Sequence, residues 1–262
     1  YIVAMVDLLG QGAQLERFWG IPKTAKEKKA FDRLASLTFG TVEQFRDRIR
    51  LLQGSLPRAH VIPPVIEERL TKRQLKILRR DVEPLIGYQF FTDLALLTMN
   101  LSGQRGHRLL VSLYSLLFQL GLLILTQLAE GVLIRGAVDV GICTELQGGD
   151  LYGQAIGRAY TLESQVAVSP RIVIGEALVD YINSFENLRG SADERAIAGE
   201  YVNVLRQCLK QERVRGAEGA RLGGAQVHSQ RVCRLPAPGH SRPGLRQGDQ
   251  GQSVQPDCGG HE

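Results

Sequence analysis

The chain opens on "YIVAMVD", an apolar run of β-forming residues closed by an acid, with no polar position inside it to mark a solvent face. Such a run predicts a buried strand. "LLGQGAQ" follows, its glycines suited to a tight turn into a helix. Residues 25–53 are charged and read as helical, and Thr41 with Gln44 makes a capping-box pattern before "FRDRIRLL". A Pro-bearing loop, "SLPRAHVIPP", leads to a further charged helix around "VIEERLTKRQLKILRR".

"YQFFTDLALLTMNL" then predicts a β-hairpin with Thr92 and Asp93 at its bend. Residues 109–128, "LLVSLYSLLFQLGLLILTQL", form an apolar helix nearly long enough to span a bilayer. Ser112, Ser115, Gln119, Thr126 and Gln127 interrupt it, and a strand-like run follows at once, so a helix covering a sheet is expected rather than a membrane span. "VLIRGAVDVGICTEL" reads as a strand and "GGD" as a turn. "LYGQAIGRAYTLES" reads as a helix, and "PRIVIGEALVDYI" supplies a last strand and helix.

This order predicts an α+β domain, a mostly antiparallel sheet covered by helices on one face. Its bounds are residues 1–185, with a helical insertion over about 25–80 and a C-terminal helix within 186–210. From residue 211 to 262 the apolar period dissolves into Gly, Arg, Pro and Gln. That segment is expected to be disordered, because it cannot bury enough surface to offset the entropy of ordering. Its composition also resembles a GC-rich reading frame translated out of phase.

Composition changes this picture little. Apolar residues make up 44% and charged residues 23%, as in ordinary globular domains. The pI of about 9.1 suggests an acidic partner until the charges are located. Most of the excess lies beyond residue 205, in nine Lys/Arg against five Asp/Glu, and the rest of the chain is close to neutral. A nucleic-acid partner is therefore not expected, and the basic tail has almost no aromatics to stack bases. Cys143, Cys208, Cys233 and Cys258 form no CxxC pair, which fits reduced thiols in a cytoplasmic protein. No leader-like segment is visible, and Tyr1 opens inside an apolar run, so the start of the full protein is expected upstream.

Two acids stand out by position. Asp7 ends the first strand before a glycine turn, and Asp93 sits at the hairpin bend. In a sheet of this kind the first strand and the hairpin are neighbours, which brings both carboxylates to one end. Paired carboxylates there suit Mg²⁺ or Mn²⁺, hard cations that prefer oxygen ligands and accompany nucleotide phosphates. The turn at Gly10 and Gly12 offers backbone N–H groups to a triphosphate. The bland alternative is that both acids only form turns.

Four fragments in order resemble the class III nucleotide cyclase homology domain, the adenylate and guanylate cyclase family, in a divergent bacterial form. "VAMVDLLG" is similar to the family's first metal strand, and "QFFTDLALL" to its second metal hairpin. "LIRGAVDVGI" resembles the strand Arg-x-Gly-Ile-x-x-Gly. "LYGQAIGRAYTLESQVAVSPRIVIGEAL" lines up without a gap on Trp/Tyr-Gly-Asp-x-Val-Asn-x-Ala-x-Arg-Leu-Glu and the strand and helix after it. The resemblance runs with gaps from Tyr1 to about Ile182 and implies a ferredoxin-like cyclase fold. It also implies that Asp7 and Asp93 hold two divalent ions, and that a homodimer converts a nucleoside triphosphate to a cyclic nucleotide with release of pyrophosphate. Gln89 and Gln154 fall where the family reads the base. An amide carries both a donor and an acceptor, so these residues do not announce which base.

The departures bear on catalysis. The family's transition-state Asn aligns with Gly157 and its phosphate-binding Arg with Thr161. Arg158, three residues before Thr161, is a neighbour on a helix and the candidate substitute. Asp7 and Asp93 lie 86 positions apart, farther than in the family, which makes the charged helices an insertion. Three readings follow: an active divergent cyclase, a cyclase-fold module that binds nucleotide or metal without turnover, and a structural domain.

Overall fold

Strand β1 (Ile2–Leu8) is buried at every position except Asp7, which is half-buried. In this computed structural model, which describes residues 1–11, 13, 16, 20–55, 62–80, 85–104, 106–147, 149–213 and 231–234, the continuous burial has a simple cause. Ile2, Ala4, Val6 and Leu8 join one core cluster, and Val3 and Met5 join another on the opposite face. A strand covered on both sides needs no polar alternation.

The partners of β1 are β3 (Leu94–Met99) and β4 (Ile134–Val140), both antiparallel. β2 (Ile86–Phe91) pairs with β3 through the Thr92–Asp93 bend, as predicted, and Thr92 holds a positive φ of 49° there. β7 (Ile172–Ile174) runs parallel to β4. Two short strands, β8 (Lys210–Arg213) and β9 (Arg231–Arg234), extend the sheet to the order β2-β3-β1-β4-β7-β9-β8. Apart from Lys210 they fall inside the stretch whose composition predicts disorder, and the remainder of that stretch lies outside the described residues. β5 (Cys143–Glu145) and β6 (Leu151–Gly153) make a separate ribbon. The result is a mixed α+β domain with a mostly antiparallel sheet, as the element order predicts.

The expected one-sided helical cover is corrected. Helices α1 (Ala25–Ser55), α4 (Gly106–Ala129), α6 (Glu176–Ser184) and α7 (Ala192–Cys208) contribute to the larger core cluster. So do the short α2 (Pro64–Arg69) and α3 (Lys72–Arg80). Helix α5 (Gln154–Gln165) covers the other face, where Ala155 and Ala159 meet Val3, Met5 and Leu96. α4 is long and apolar enough to cross a membrane by length and composition. Here Leu110, Leu113, Leu116, Leu120 and Leu123 are buried in the main core, and Tyr114 meets Tyr201 of α7 edge to face.

Four local expectations shift as well. Thr41 starts no helix: it lies inside α1, and its hydroxyl donates back to the Leu37 carbonyl at 2.8 Å. The cap is Thr24, which exchanges hydrogen bonds with Glu27. The charged helix expected around 65–80 is two helices. Thr71 and Gln74 make a reciprocal cap that starts the second. The long strand predicted over 132–146 breaks after Val140, and the predicted helix at Leu151 begins only at Gln154.

The start of α6 depends on a distant side chain. Its N-cap, Gly175, has none to offer, and Asp139 of β4 accepts from the Leu178 N–H at 3.1 Å and the Val140 N–H at 2.9 Å. A Cβ at Gly175 would lie 2.3 Å from the Asp139 carboxyl carbon. Gly175→Ala must therefore displace the buried Asp139 side chain that caps α6, and a loss of about 3 kcal/mol is expected in chemical denaturation.

Candidate active site

β1 and the β2–β3 bend carry the two acids to the same edge. Asp7 is in register with Leu94 on one side and Arg135 on the other. The Leu8 N–H donates to the Asp93 carbonyl at 3.3 Å, which fixes the bend against the end of β1. Thr92 donates its hydroxyl proton to Asp93 Oδ1 at 2.7 Å. Burial pushes the Asp7 carboxyl above its usual range, and the Asp93 charge pushes it further; Arg135 opposes both. The two acids sense one another across the end of the sheet.

Helix α1 braces this end. Arg46 donates to the Thr92 carbonyl at 2.5 Å, and the guanidinium carbons of Arg46 and Arg50 lie 5.5 and 5.1 Å from the centre of the Phe90 ring. Arg48 and Gln44 both contact Glu130, at the corner between α4 and β4. The helical insertion is thus packed against the bend that presents Asp93.

Two residues without an assigned role in the sequence complete the surroundings. Arg135 of β4 donates a long hydrogen bond from Nη2 to Asp7 Oδ2 at 3.4 Å, and its Nε lies 2.5 Å from Glu163 Oε1 of α5. The latter is an ion pair whose angle falls short of a hydrogen bond. The Glu163 side chain is only 4% exposed, against 20% for Asp7. Burial raises the Glu163 pKa, Arg135 lowers it, and Asp7 raises it again. The signal was present in "LIRGAVDVGI": a charged residue inside a strand with apolar neighbours needs a buried partner. Nothing in the sequence named that partner as Glu163.

The donor set fits a divalent cation in a particular way. Among the described residues, no cluster of three or more His, Cys, Asp or Glu side chains is arranged to hold a metal by itself. Two carboxylates at an open sheet end instead suit Mg²⁺ or Mn²⁺, which keep waters and take further oxygens from a phosphate. Gly10, exposed with φ +86°, stands three residues beyond Asp7 in the loop that leaves β1. Gly12, paired with it in the expected phosphate turn, lies outside the described residues.

The other predicted residues are elsewhere. Gln89 lines a cleft of about 300 Å³ with Tyr1, Tyr88, Thr98, Asn100 and Glu145, and its Nε2 donates to the Gly149 carbonyl at 2.7 Å. A carbonyl only accepts, so the nitrogen faces it and Oε1 is the other end of the amide. Gln154 is exposed at the start of α5 and is not part of this cleft. Gly157 is exposed, and a Cβ there would meet no atom within 4 Å. Thr161 turns its hydroxyl onto the Gly157 carbonyl at 2.9 Å.

Arg158 donates to the Val140 carbonyl at 3.2 Å. Val140 pairs with Ile2, whereas Arg135 pairs with Asp7, so this contact lies five residues of strand, about 17 Å, from the acids. Within one chain the structure brings Asp7, Asp93, Arg135 and Glu163 together. Arg158 and the outer face of α5 remain apart from them.

Asp7, Asp139 and Glu163 all have raised pKa values with burial as the largest cause. Folding thus favours their protonated forms. The stability they contribute is complete below the ordinary carboxylate range and is lost as pH rises through the raised folded values. Their contribution to thermal stability is expected to grow as pH falls through the raised folded values toward the ordinary carboxylate range, and a calorimetric pH series on the wild type and Asp7→Asn would isolate the part due to Asp7.

No family model matches the chain, and no curated protein matches it. Solved structures similar to it include the adenylyl cyclase CyaB from P. aeruginosa, with a TM-score of 0.44 and 11% identity over 93% of this chain and 96% of that one. Adenylate cyclases from Trypanosoma brucei in their monomeric state give 0.44 and 15% over 91% and 90%. The guanylate cyclase domain of RhGC from Catenaria anguillulae, in complex with GTP, gives 0.41 and 12% over 90% and 95%. Each is a loose likeness at low identity.

Proposed function

We propose that this chain is a divergent nucleotide cyclase, forming a cyclic nucleotide from a nucleoside triphosphate with release of pyrophosphate. The observation that carries the reading is the meeting of Asp7 and Asp93 at one end of the sheet, from strands separated by the whole helical insertion. Asp7 and Asp93 would hold Mg²⁺ or Mn²⁺, which, when bound, supplies charge neutralisation for the triphosphate and activation of the ribose 3′-hydroxyl. The 3′-hydroxyl gives up its proton to solvent, and its oxygen bonds the α-phosphorus as the bond from that phosphorus to pyrophosphate breaks. The Gly10 turn offers N–H groups to the phosphates, and Gln89 offers Oε1 to the base.

Arg158 and the outer face of α5 complete the site only from a second copy, because Arg158 engages the far end of β4 in its own chain. The functional unit is accordingly a homodimer, with each acid pair facing the partner's α5.

One observation favours a second reading, a module that binds nucleotide without turnover. The positions aligned with the family's Asn and Arg are Gly157, which has no side-chain donor, and Thr161, which has no cationic group and spends its hydroxyl on the Gly157 carbonyl. The full chain incubated with Mn²⁺ and each of the four NTPs separates the two. Cyclic product and pyrophosphate that disappear in Asp93→Ala support the enzyme. Saturable nucleotide binding without product supports the module, and neither result sinks both.

A further inference from the structure

Arg135 faces a choice between two carboxylates. Its Nε stands 2.5 Å from Glu163 and its Nη2 stands 3.4 Å from Asp7. The closer partner is also the more buried one, so the stronger electrostatic hold on the guanidinium is that of Glu163. Glu163 itself comes from α5, and Leu162 beside it is buried with Ala137 of β4, which fixes the helix over the strand. The guanidinium of a half-buried Arg cannot shed its charge, and it pairs with whatever carboxylate lies in reach. With Glu163 neutral, Asp7 would be the closest acid left to it.

We infer that Glu163 is a positioning residue that keeps the Arg135 guanidinium from closing onto Asp7, limiting their contact to one long hydrogen bond and so leaving Asp7 able to take a divalent cation. The inference rests on the proposed metal role of Asp7 and Asp93 and adds to it the part played by a buried glutamate. A full Arg135–Asp7 ion pair would place a competing cation on a carboxylate the metal needs. The pair of Arg135 with Glu163 thereby acts as a restraint, and Arg135 is an obstacle to metal binding rather than a support for it. An arginine acting as a support would have been drawn tightly onto Asp7; instead its hydrogen bond to Asp7 Oδ2 is long, at 3.4 Å, and its shortest ion-pair contact, at 2.5 Å, is with Glu163.

The test is Mn²⁺ affinity of the full chain, read from the electron paramagnetic resonance signal of free Mn²⁺ during titration, without nucleotide. Wild-type binding that vanishes in Asp7→Asn establishes the metal role itself, and its absence would remove the metal reading and this inference together. Given that binding, Glu163→Gln is expected to weaken it by about 10- to 100-fold, as loss of an outer-shell partner does. The double variant Glu163→Gln/Arg135→Gln is expected to recover it to within a few-fold of wild type, because the released guanidinium is gone. Unchanged affinity in Glu163→Gln overturns the inference, as does a double variant as weak as the single one. Should Glu163→Gln fail to fold, Glu163→Asp keeps the charge but withdraws it by one methylene from Nε. It is expected to weaken Mn²⁺ binding in the same direction, and full wild-type affinity in a folded Glu163→Asp would count against the restraint.

Discussion

Asp7→Asn is expected to lower Mn²⁺-dependent formation of cyclic nucleotide by about a thousandfold, the rate equivalent of the several kcal/mol that a bound cation supplies. The same substitution is expected to leave the thermal midpoint unchanged or to raise it. Asn has nearly the same shape as Asp and keeps an oxygen for the Arg135 guanidinium. The carboxylate it replaces is held above its usual pKa by burial and by Asp93. A group with a raised folded pKa subtracts from stability when ionised, so at neutral pH its charge is a burden on the fold. Loss of activity with an undiminished midpoint marks a residue kept for chemistry. Loss of both would instead identify Asp7 as a structural ion-pair partner of Arg135. Product assays and calorimetry on the same preparation decide between them.

The second large effect runs the other way. Gly157→Asn/Thr161→Arg, made together, is expected to raise turnover by about a hundredfold, the size of effect seen when a single group stabilising a developing oxyanion is added or removed. The outer face of α5 can accept both. Gly157 has open space where a Cβ would stand, and replacing a helical glycine favours the helix. Thr161 gives up only a hydroxyl bond to the carbonyl of the preceding turn. Arg158 contributes a like charge nearby, but its guanidinium is engaged at Val140. Steady-state rates with the preferred Mn²⁺–NTP give the answer. A variant that folds, binds nucleotide and shows no gain would place the chain among binding modules.

Much of the fold was legible because its strongest signals are local. β1, the Thr92–Asp93 bend and α4 each follow from an apolar run and its punctuation. The two-sided cover was legible in principle, since "YIVAMV" has no polar alternation and a one-faced sheet would have shown it. Thr41 misled because a hydroxyl that caps a helix and one that bonds back along it sit in the same local sequence. The acid pair was legible from topology alone, because a hairpin beside the first strand brings their ends together. The Glu163–Arg135 contact was not, since the pairing of charges from a strand and a helix 28 residues apart depends on how that helix crosses the sheet. Asp139 as the cap of α6 was hidden for the same reason. The glycine at 175 marks only where a side chain must be missing, not whose carboxylate fills the space.

The separation between the acid end of the sheet and the outer face of α5 has a genetic consequence. If each working site borrows its halves from two chains, a protomer lacking Asp7 still has an intact α5, and a protomer damaged on α5 still has both acids. Two variants that are each inert would then complement when co-expressed, because the mixed pair contains one undamaged site and one doubly damaged site. The same arithmetic makes a protomer damaged in both halves a poison in excess, since it silences any wild-type chain with which it pairs.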